Sequence, residues 1–469
     1  MFPSRTVLTI FIALLSAVTA QSIVAQSVDI AALEDEAVQR VQEYLRVNTI
    51  NPPGNESRAV DFFAKIFDAE GIEYETAESA PGRGNIWARL PGGPEPGLVL
   101  LHHSDVVPAD EEHWDVPVLS GETREGYIYG RGALDTKTGG ILHLQAFLAL
   151  HRQGKPLNRD VIFMATADEE AGGMYGAGWL VENRPEIFEN VGWLLNEGGG
   201  GSETAGRQQF GIEVTQKTPF WIKLTATGRP GHGSSPRLES SVTKLLRALD
   251  NVRTYEFEPR IVPAVDTYFK GLAPNAGDRF TEAFADMSSA VKDPEFRVAL
   301  RLFSPYLHAL TRNTCSITRL DGSSKINVIP PQASAELDCR LLPDQDQDDF
   351  LRELRSVLNE PAIEIEKMMA FSPAVSSTDT DLYRAITRVM QENFPEAPVL
   401  PTVAAGFTDS HFFRDLGITS YGFFPMLTNI EDSGGVHGNN ERVSVENVKR
   451  GTRLMLEILE QLVYPNSTS

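Results

Sequence analysis

Short apolar runs alternate with amphipathic stretches along the first half of the chain. The runs have the length of buried strands and lie at 98–101, 161–166 and 191–195. Helical spacing of apolar residues follows or precedes them at 31–50, 57–69 and 139–154. Strands that alternate with helices predict an α/β domain with a largely parallel sheet.

The pattern changes after Lys217. Half-buried strands are predicted at 221–227, 314–320, 333–341 and 363–369, and helices at 240–249 and 348–358. That order, βαββαβ, is typical of the ferredoxin-like split unit. Residues 252–313 interrupt it as a mostly helical insertion whose role the pattern does not reveal. We therefore expect a domain formed by 27–216 and 371–464, split by an inserted domain at 217–370; two domains are also the default for 469 residues.

The N-terminus has the pattern of a signal peptide spanning residues 1–25. Arg5 precedes an apolar stretch at 7–15, and small residues place cleavage after Ala20 or Ala25. A membrane anchor is the alternative, but the stretch is shorter than the ~20 residues that span a bilayer. We expect an exported protein without a stable membrane anchor, periplasmic in a bacterium and secreted or lumenal elsewhere.

The net charge of -22 argues against nucleic acid or an anionic membrane surface as a partner, since both require clustered basic residues. The two cysteines, Cys315 and Cys339, lie on strands expected to pair as a hairpin. Neighbouring paired strands are a poor geometry for a disulfide, so the prediction favours free thiols over a bridge.

Five separated segments carry carboxylates and histidines in an order that predicts one dinuclear metal site. The segments are His103-Ser104-Asp105, 130–135 ending in Asp135, Asp168-Glu169-Glu170, 196–199 with Glu197, and 436–438 with His437. Most follow an apolar run, and strand ends are where an open α/β sheet places its site. Imidazole and carboxylate ligands without thiolates suit zinc, with cobalt and manganese as alternatives.

The motifs resemble those of the di-zinc metallopeptidase family that includes aminoacylase, carboxypeptidase S, glutamate carboxypeptidase, acetylornithine deacetylase and succinyl-diaminopimelate desuccinylase. The matching stretches are LLHHSDVVPAD, YGRGALDTK, ATADEEAGG, NEGG, GRPGHGSSP, INVIPP, LDCRLLP, GFTDSHFFR and VHGNNERV. They span nearly all of the chain after the signal peptide, in the family's order. Within the family, the long insertion and the NEGG form look most like the branch of carboxypeptidase S and the N-fatty-acyl amino acid hydrolases.

The resemblance implies a role for each candidate residue at the metals. Asp135 would bridge two ions, which two-metal hydrolases hold ~3.5–4 Å apart. The other ligands would be His103 and Glu197 for one ion, and Glu170 and His437 for the second. Asp105 would accept a hydrogen bond from His103 and fix its tautomer. Glu169 would be the general base beside a metal-bridging hydroxide, and its side chain would point away from that of Glu170 on an extended segment.

The resemblance also implies substrate contacts. His232 would stabilise the oxyanion, often across a dimer interface, which leaves open a homodimer through the inserted lid domain. Arg340 and Asn327 would grip the substrate carboxylate, and Gly406 would supply a backbone contact. Phe407 replaces a second glycine that many relatives have.

Other residues near these motifs are expected to have supporting roles. His102 is assigned to packing or hydrogen bonding, and His411 and Arg414 to structural support. Relatives hold a cis peptide after the bridging aspartate, so the bond between Asp135 and Thr136 is expected to be cis.

The leading hypothesis is a metal-dependent hydrolase of an amide bond next to a free α-carboxylate, a carboxypeptidase or dipeptidase of small peptides. An N-acyl-amino-acid amidohydrolase of the aminoacylase type is the alternative, since both would use the same site. A non-catalytic binding protein on the same fold would have lost a ligand or the base, and none is missing. A mononuclear zincin would need a His-Glu-x-x-His motif, which does not occur.

Overall fold

The secondary structure follows the predicted alternation closely. A computed structural model describes residues 28–464 except 205 and 278, so the predicted signal peptide lies outside the described residues. The strands are β1 Tyr74–Glu78, β2 Gly84–Leu90, β3 Glu95–His103, β4 Glu122–Arg124, β5 Tyr127–Tyr129, β6 Arg159–Thr166, β7 Val191–Thr204, β8 Arg207–Gln216, β9 Thr218–Thr227, β10 Gly231–His232, β11 Thr314–Asp321, β12 Val328–Ile329, β13 Gln332–Leu341, β14 Ile363–Ala370, β15 Val399–Ala404, β16 Thr419–Asn429 and β17 Arg442–Ser444. The helices are α1 Ile30–Leu45, α2 Ser57–Glu70, α3 Lys137–Gln153, α4 Ala177–Asn183, α5 Ser241–Thr254, α6 Pro263–Leu272, α7 Thr281–Ala285, α8 Met287–Ala290, α9 Pro294–Phe303, α10 Pro305–Ala309, α11 Gln347–Leu358, α12 Asp381–Asn393, α13 Ser410–Asp415, α14 Ile430–Ser433 and α15 Val445–Val463.

An eight-stranded sheet forms the centre of the molecule, in the order β1-β2-β6-β3-β7-β16-β8-β15. The neighbours β6, β3, β7 and β16 run parallel, whereas β1 and β2 form an antiparallel edge. Helices α1, α2, α3, α12 and α15 contribute to the largest apolar cluster, which covers one face. A second apolar cluster covers the opposite face of the sheet. It combines residues of α4 and α13 with the strand residues whose side chains point to that face. Covered faces explain why the central strands read as unbroken apolar runs.

A separate four-stranded antiparallel sheet has the order β11-β13-β9-β14. Its strands and the helices α5 and α11 occur in the chain order βαββαβ, as the sequence predicts for the ferredoxin-like unit. Alternate residues of β13 are buried, so one face of this sheet packs against α5 and α11 in a cluster of its own. That the unit is an independent lid or dimerisation domain bounded at 217 and 370 stays a prediction.

Most of the helical insertion packs outside these two clusters, although Val252 and Phe257 belong to the cluster of the four-stranded sheet. Residues of α6 to α10 bury a further apolar cluster, with Val265, Phe269 and Leu307 among its members. That cluster also contains Val403 of β15, at the edge of the eight-stranded sheet. The insertion therefore packs against the sheet that carries the candidate metal ligands.

Two local expectations are wrong. The first helix ends at Leu45 rather than near residue 50, and the buried Lys137 ammonium donates to the carbonyls of Tyr44 and Val47 at this end. Cys315 and Cys339 form a disulfide, contrary to the expectation of free thiols. The two residues are directly opposite each other on β11 and β13, with Cα atoms 4.0 Å apart. Opposite residues in antiparallel strands approach this closely at the narrow pairs, which brings the two side chains within reach of each other.

No helix in the described ranges is both long and apolar enough to cross a membrane.

Close packing beneath the sheet depends on two glycines at the start of α3. A Cβ on Gly139 would overlap the ring of Phe424, and one on Gly140 would overlap the imidazole of His102. That imidazole is fully buried, lies 3.3 Å from the hydroxyl of Tyr44 and contacts the ring of Phe63. His102 thus has the packing and hydrogen-bonding role that the sequence predicts.

Gly140→Ala should destabilise the protein. Alanine gains up to ~1 kcal/mol in a helix, but overpacking a fixed core costs about 1–3 kcal/mol, so the clash should dominate. The control is Gly322→Ala, whose added methyl meets open space and should change stability by less than about 0.5 kcal/mol. Thermal unfolding of both variants tests this; an unchanged melting temperature for Gly140→Ala would contradict the packing argument.

Candidate metal centre

The candidate ligands converge at one edge of the eight-stranded sheet. His103 is the last residue of β3, Glu169 and Glu170 follow β6, and Glu197 lies within β7. These three strands are neighbours and parallel, so their carboxyl ends meet at the same edge. The fold therefore brings together His103 and Glu197, which are 94 positions apart in the chain.

An irregularity in β7 presents Glu197. Its neighbour Asn196 pairs with Gly422 of β16, whereas Gly200 pairs with Phe424, so three residues of β7 lie opposite one residue of β16. Extra residues of this kind bend a strand and redirect its side chains. Gly198 within the irregular stretch has φ 113°, a conformation that favours glycine.

Asp135 is the residue that joins two overlapping groups of candidate ligands. Its Oδ1 lies 3.1 Å from Nε2 of His103, and its Oδ2 lies 3.0 Å from Nε2 of His437. Glu197 completes the first group, 3.5 Å from His103, and Glu170 completes the second, 3.2 Å from His437. Within each group the ligand atoms all lie within 4.8 Å of one another.

The charges of the cluster fit divalent cations. Glu169, Glu170 and Glu197 share the site with Asp135 but with only two imidazoles, and burial raises the pKa of each of the three glutamates. Hydrogen bonds to Asp135 and Glu170 raise the pKa of His437 to about 10. Burial opposes protonation of His103, but Glu197, Asp105 and Asp135 still raise its pKa well above the usual value. Buried anions in excess of their cationic partners are costly, and two divalent ions would offset this charge.

The turn after β6 separates the two glutamates in a different way from the one expected. Glu169–Ala171 form a short 3₁₀-helix rather than an extended segment, and Asp168 before it has φ 72°. Glu169 Oε2 lies 3.9 Å from Nε2 of His103, whereas Glu170 contacts His437. The two side chains therefore reach different histidines, as the predicted division of roles requires, but through helical geometry.

Asp105 holds this turn as well as facing His103. Its carboxylate accepts hydrogen bonds from the backbone N–H groups of Glu169 (3.1 Å) and Glu170 (3.2 Å). Nδ1 of His103 lies 3.0 Å from the backbone carbonyl of Asp105 and 3.4 Å from its carboxylate. The sequence predicts that the Asp105 carboxylate is the hydrogen-bond partner of His103. In the structure the backbone carbonyl of Asp105 makes the shorter contact.

Sequence reasoning missed the residues that support Asp105. Asn51 donates to the Asp105 carboxylate at 2.8 Å and accepts a hydrogen bond from Arg83 at 3.0 Å. Arg83 also pairs with the buried carboxylates of Glu56 and Asp168. Neither Asn51 nor Arg83 lies in a recognisable motif, and only the fold brings them beside β3.

Two further carboxylates near the site were missed although they lie in quoted motifs. Glu441 is fully buried, pairs with Arg131 at 2.7 Å and accepts the backbone N–H groups of Leu134 (2.7 Å) and Asp135 (3.0 Å). Asp409 accepts a hydrogen bond from Thr166, and burial raises the pKa of its carboxyl to about 8, with Asp105 and Glu197 acting in the same direction. Each of the two motifs contains an acidic residue to which no role was assigned. That was the signal by which Glu441 and Asp409 could have been found.

The predicted substrate residues fall into two pairs. His232 and Asn327 are both exposed and lie close together. His232 is in β10, Asn327 directly precedes β12, which pairs with β10, and the N–H of Gly233 donates to the carbonyl of Asn327 at 2.8 Å. In the part of the chain that the structure describes, no hydrogen bond or ion pair joins this pair to the metal cluster. The structure therefore brings His232 and Asn327 together with each other, but among the described residues it hydrogen-bonds neither of them to the candidate ligands.

Arg340 lies beside the turn that contains Gly406. Its guanidinium stands 5.3 Å from the ring centroid of Phe407 and 5.8 Å from that of Trp221. Nε and Nη2 are taken by Asp338, at 2.6 and 3.1 Å, while the buried Nη1 has no hydrogen-bond partner. Nη1 is therefore the guanidinium donor that no acceptor among the described residues occupies.

Arg414, His411 and the peptide bond after Asp135 have the features that the sequence predicts. Arg414 makes a buried ion pair with Glu213, and His411 stacks on Phe371, so both have the structural roles that the sequence predicts. The peptide bond between Asp135 and Thr136 is cis, as expected.

The comparisons with known proteins agree with this arrangement. The family description "Peptidase family M20/M25/M40" matches residues 99–461. The chain is 31% identical over 388 residues to the N-fatty-acyl-amino acid synthase/hydrolase PM20D1 of Xenopus tropicalis, covering 79% of this chain and 72% of that protein. It is 27% identical over 438 residues to human aminoacylase-1, covering 92% and 96%. The M20 family metallo-carboxypeptidase Sso-CP2 of Sulfolobus solfataricus superposes with a TM-score of 0.70 at 20% identity, covering 91% and 99%. The chain belongs to peptidase family M20/M25/M40, and it is a metallohydrolase of the peptidase and aminoacylase type.

Proposed function

We propose that this protein is an exported zinc-dependent hydrolase of amide bonds adjacent to a free α-carboxylate. The observation that carries the proposal is the Asp135 carboxylate, shared between His103 and His437 with one further glutamate beside each imidazole. The signal-peptide pattern at residues 1–25 supports export, and the nitrogen and oxygen ligand set supports zinc.

The residues that would hold the ions are His103, Asp135 and Glu197 for one and Asp135, Glu170 and His437 for the other. Two bound ions would polarise the scissile carbonyl and lower the pKa of a bound water. Glu169 takes the proton of the attacking water and delivers it to the leaving nitrogen. Asp105 accepts hydrogen bonds from the backbone of Glu169 and Glu170 and faces Nδ1 of His103. It therefore holds the base and the ligands in fixed positions relative to one another.

The other residues act on the substrate. The donor edge of Arg340 binds the α-carboxylate, with Asn327 and the backbone at Gly406 as further contacts. His232 stabilises the oxyanion. The matching histidine in similar proteins often acts across a dimer interface, which supports a homodimer through the inserted lid domain.

The acyl side separates two subclasses. A carboxypeptidase or dipeptidase and an N-acyl-amino-acid amidohydrolase would share every residue named above. A non-catalytic binding protein would be expected to lack a ligand or the base, and the chain has them all. Purified zinc-loaded protein assayed against dipeptides and N-acyl amino acids tests the proposal, and no turnover of either class would overturn it.

Glu169→Gln should retain the metals and lose most turnover, because an amide cannot accept the proton of the attacking water. General acid–base contributions are worth roughly 10²–10⁴-fold, and kcat should fall at least that far. The control is Glu182→Gln at an exposed position. A near-parental kcat in Glu169→Gln with full metal content would refute the assignment.

Asp135→Ala should reduce metal content more than His437→Ala, because Asp135 belongs to both groups of ligands and His437 to one. Metal-to-protein ratios after dialysis, measured by mass spectrometry, test this. Asp110→Ala, which removes an exposed aspartate, is the control. Retention of two ions by Asp135→Ala would contradict the bridging role.

Arg340→Lys should raise KM for substrates with a free α-carboxylate. Hydrogen bonds to charged groups contribute about 1.5–3 kcal/mol, so KM should rise by roughly 10- to 100-fold. The exposed Arg319→Lys on β11 is the control. If the parent enzyme hydrolyses carboxyl-amidated substrates as well as free ones, Arg340 does not have this role.

A further inference from the structure

A cavity of about 880 Å³ opens on the candidate metal centre, and its lining includes Asp135 and Glu197. The rest of the lining is mostly apolar or uncharged, with the glycines 198–201, Phe424 and Met426. Its volume is at the upper end of the range for small-molecule sites, and such sites are usually apolar with a few polar groups. The cavity therefore has room for far more than the reacting amide.

The helical insertion supplies two tyrosines to this cavity, Tyr268 of α6 and Tyr306 of α10. Both are tied to β15. The hydroxyl of Tyr306 donates to the carbonyl of Val403 at 2.8 Å. Helix α6 approaches so closely that a Cβ on Gly271 would overlap Leu400, which itself lines the cavity.

The position of Tyr268 follows from this contact. Tyr268 precedes Gly271 by three residues, so the two lie on the same face of α6. The contact at Gly271 directs that face toward β15. The insertion thus places its aromatic rings beside the cavity through contacts with the sheet.

The charge of the lining indicates the chemistry of the occupant. Among the described residues that line the cavity, Asp135 and Glu197 are the only carboxylates, and both are candidate metal ligands. The α-ammonium of a peptide would therefore enter without an acidic partner, and burying an unpaired charge is costly. An uncharged apolar chain would instead gain from each methylene removed from water.

We propose that this cavity binds the acyl chain of N-acyl amino acids with extended apolar acyl groups, and that the insertion 252–313 sets the accepted chain length through Tyr268 and Tyr306. This inference rests on the proposed function, because the reacting amide must lie at the metal centre for the acyl chain to enter the cavity. It gives the insertion a role that neither its sequence nor the reaction chemistry requires.

The test is a series of N-acyl-leucines with acetyl, butyryl, octanoyl, dodecanoyl and palmitoyl groups, together with the dipeptide Ala-Leu, all below their critical micelle concentrations. For the parent enzyme, kcat/KM should rise along the series until the cavity is full. A buried methylene contributes about 0.8 kcal/mol, or roughly fourfold in kcat/KM. Ala-Leu should be a poorer substrate than butyryl-leucine.

Variants of the lining separate this cavity from a general preference for apolar substrates. Tyr268→Trp should shift the optimum to shorter chains by filling space, and Tyr306→Ala should shift it to longer ones. Tyr306→Phe keeps the ring and serves as a conservative variant if Tyr306→Ala does not fold. Tyr255→Ala is the matched control, since Tyr255 lies in the same insertion but outside the cavity lining.

The outcomes distinguish the two proposals. A profile that peaks at long chains in the parent and moves with Tyr268 and Tyr306 but not with Tyr255 supports the inference. Cleavage of acetyl-leucine or Ala-Leu with no gain from longer chains overturns it and leaves the proposed function standing. A parental profile that all folded cavity variants retain also overturns it. No hydrolysis of any substrate by the parent would overturn the proposed function and this inference together.

Discussion

The carboxylate of Asp135 makes the contacts on which the candidate metal centre depends, because its two oxygens contact two different imidazoles. His103 comes from the end of β3, whereas His437 follows α14 near the C-terminus. A shift of Asp135 would therefore disturb both groups of ligands at once. Glu441 fixes the position of Asp135, because its carboxylate accepts hydrogen bonds from the backbone N–H groups of Leu134 and Asp135. Glu441 is in turn neutralised by the buried Arg131, so the loop carrying the shared carboxylate is held by a charge pair outside solvent.

A second set of contacts fixes the base. The carboxylate of Asp105 accepts the N–H groups of Glu169 and Glu170, and Asn51 and Arg83 support it from behind. Two adjacent glutamates can thus serve different histidines, because their turn is anchored by its backbone while both side chains stay directed into the cluster. Such outer contacts commonly orient metal ligands and are part of the site's function.

The insertion 252–313 connects the ferredoxin-like unit with the eight-stranded sheet. It is encoded within the split βαββαβ unit, yet its apolar cluster includes Val403 from the edge strand of the other sheet. Its tyrosines are therefore placed by the sheet that carries the metal ligands. This arrangement would let the acyl side of the site vary through the insertion without altering the ligands.

The sequence alone determined the parts of this protein that depend on local pattern. Unbroken apolar runs specified the central strands, alternation specified β9 and β13, and the order of elements specified the ferredoxin-like sheet. The five acidic and histidine motifs marked the candidate ligands, because most of them follow an apolar run that ends recognisably, and the resemblance to the di-zinc family divided them into the two groups that the fold brings together. Local pattern failed at the end of α1, where a lysine more than 90 residues away caps the helix, and at Cys315 and Cys339, whose bridge depends on strand register.

Tertiary structure alone decided what depends on residues distant in the chain. Asn51 reaches Asp105, Arg83 reaches Asn51, and Asp409 reaches Thr166 at the end of β6 only in the folded chain, because these partners are distant in sequence. The cavity takes part of its wall from Tyr268 and Tyr306, which reach it because α6 and α10 pack on β15. Pairing and burial of this kind arise from contacts between distant segments, and local spacing in a single sequence carries little information about which segments will meet.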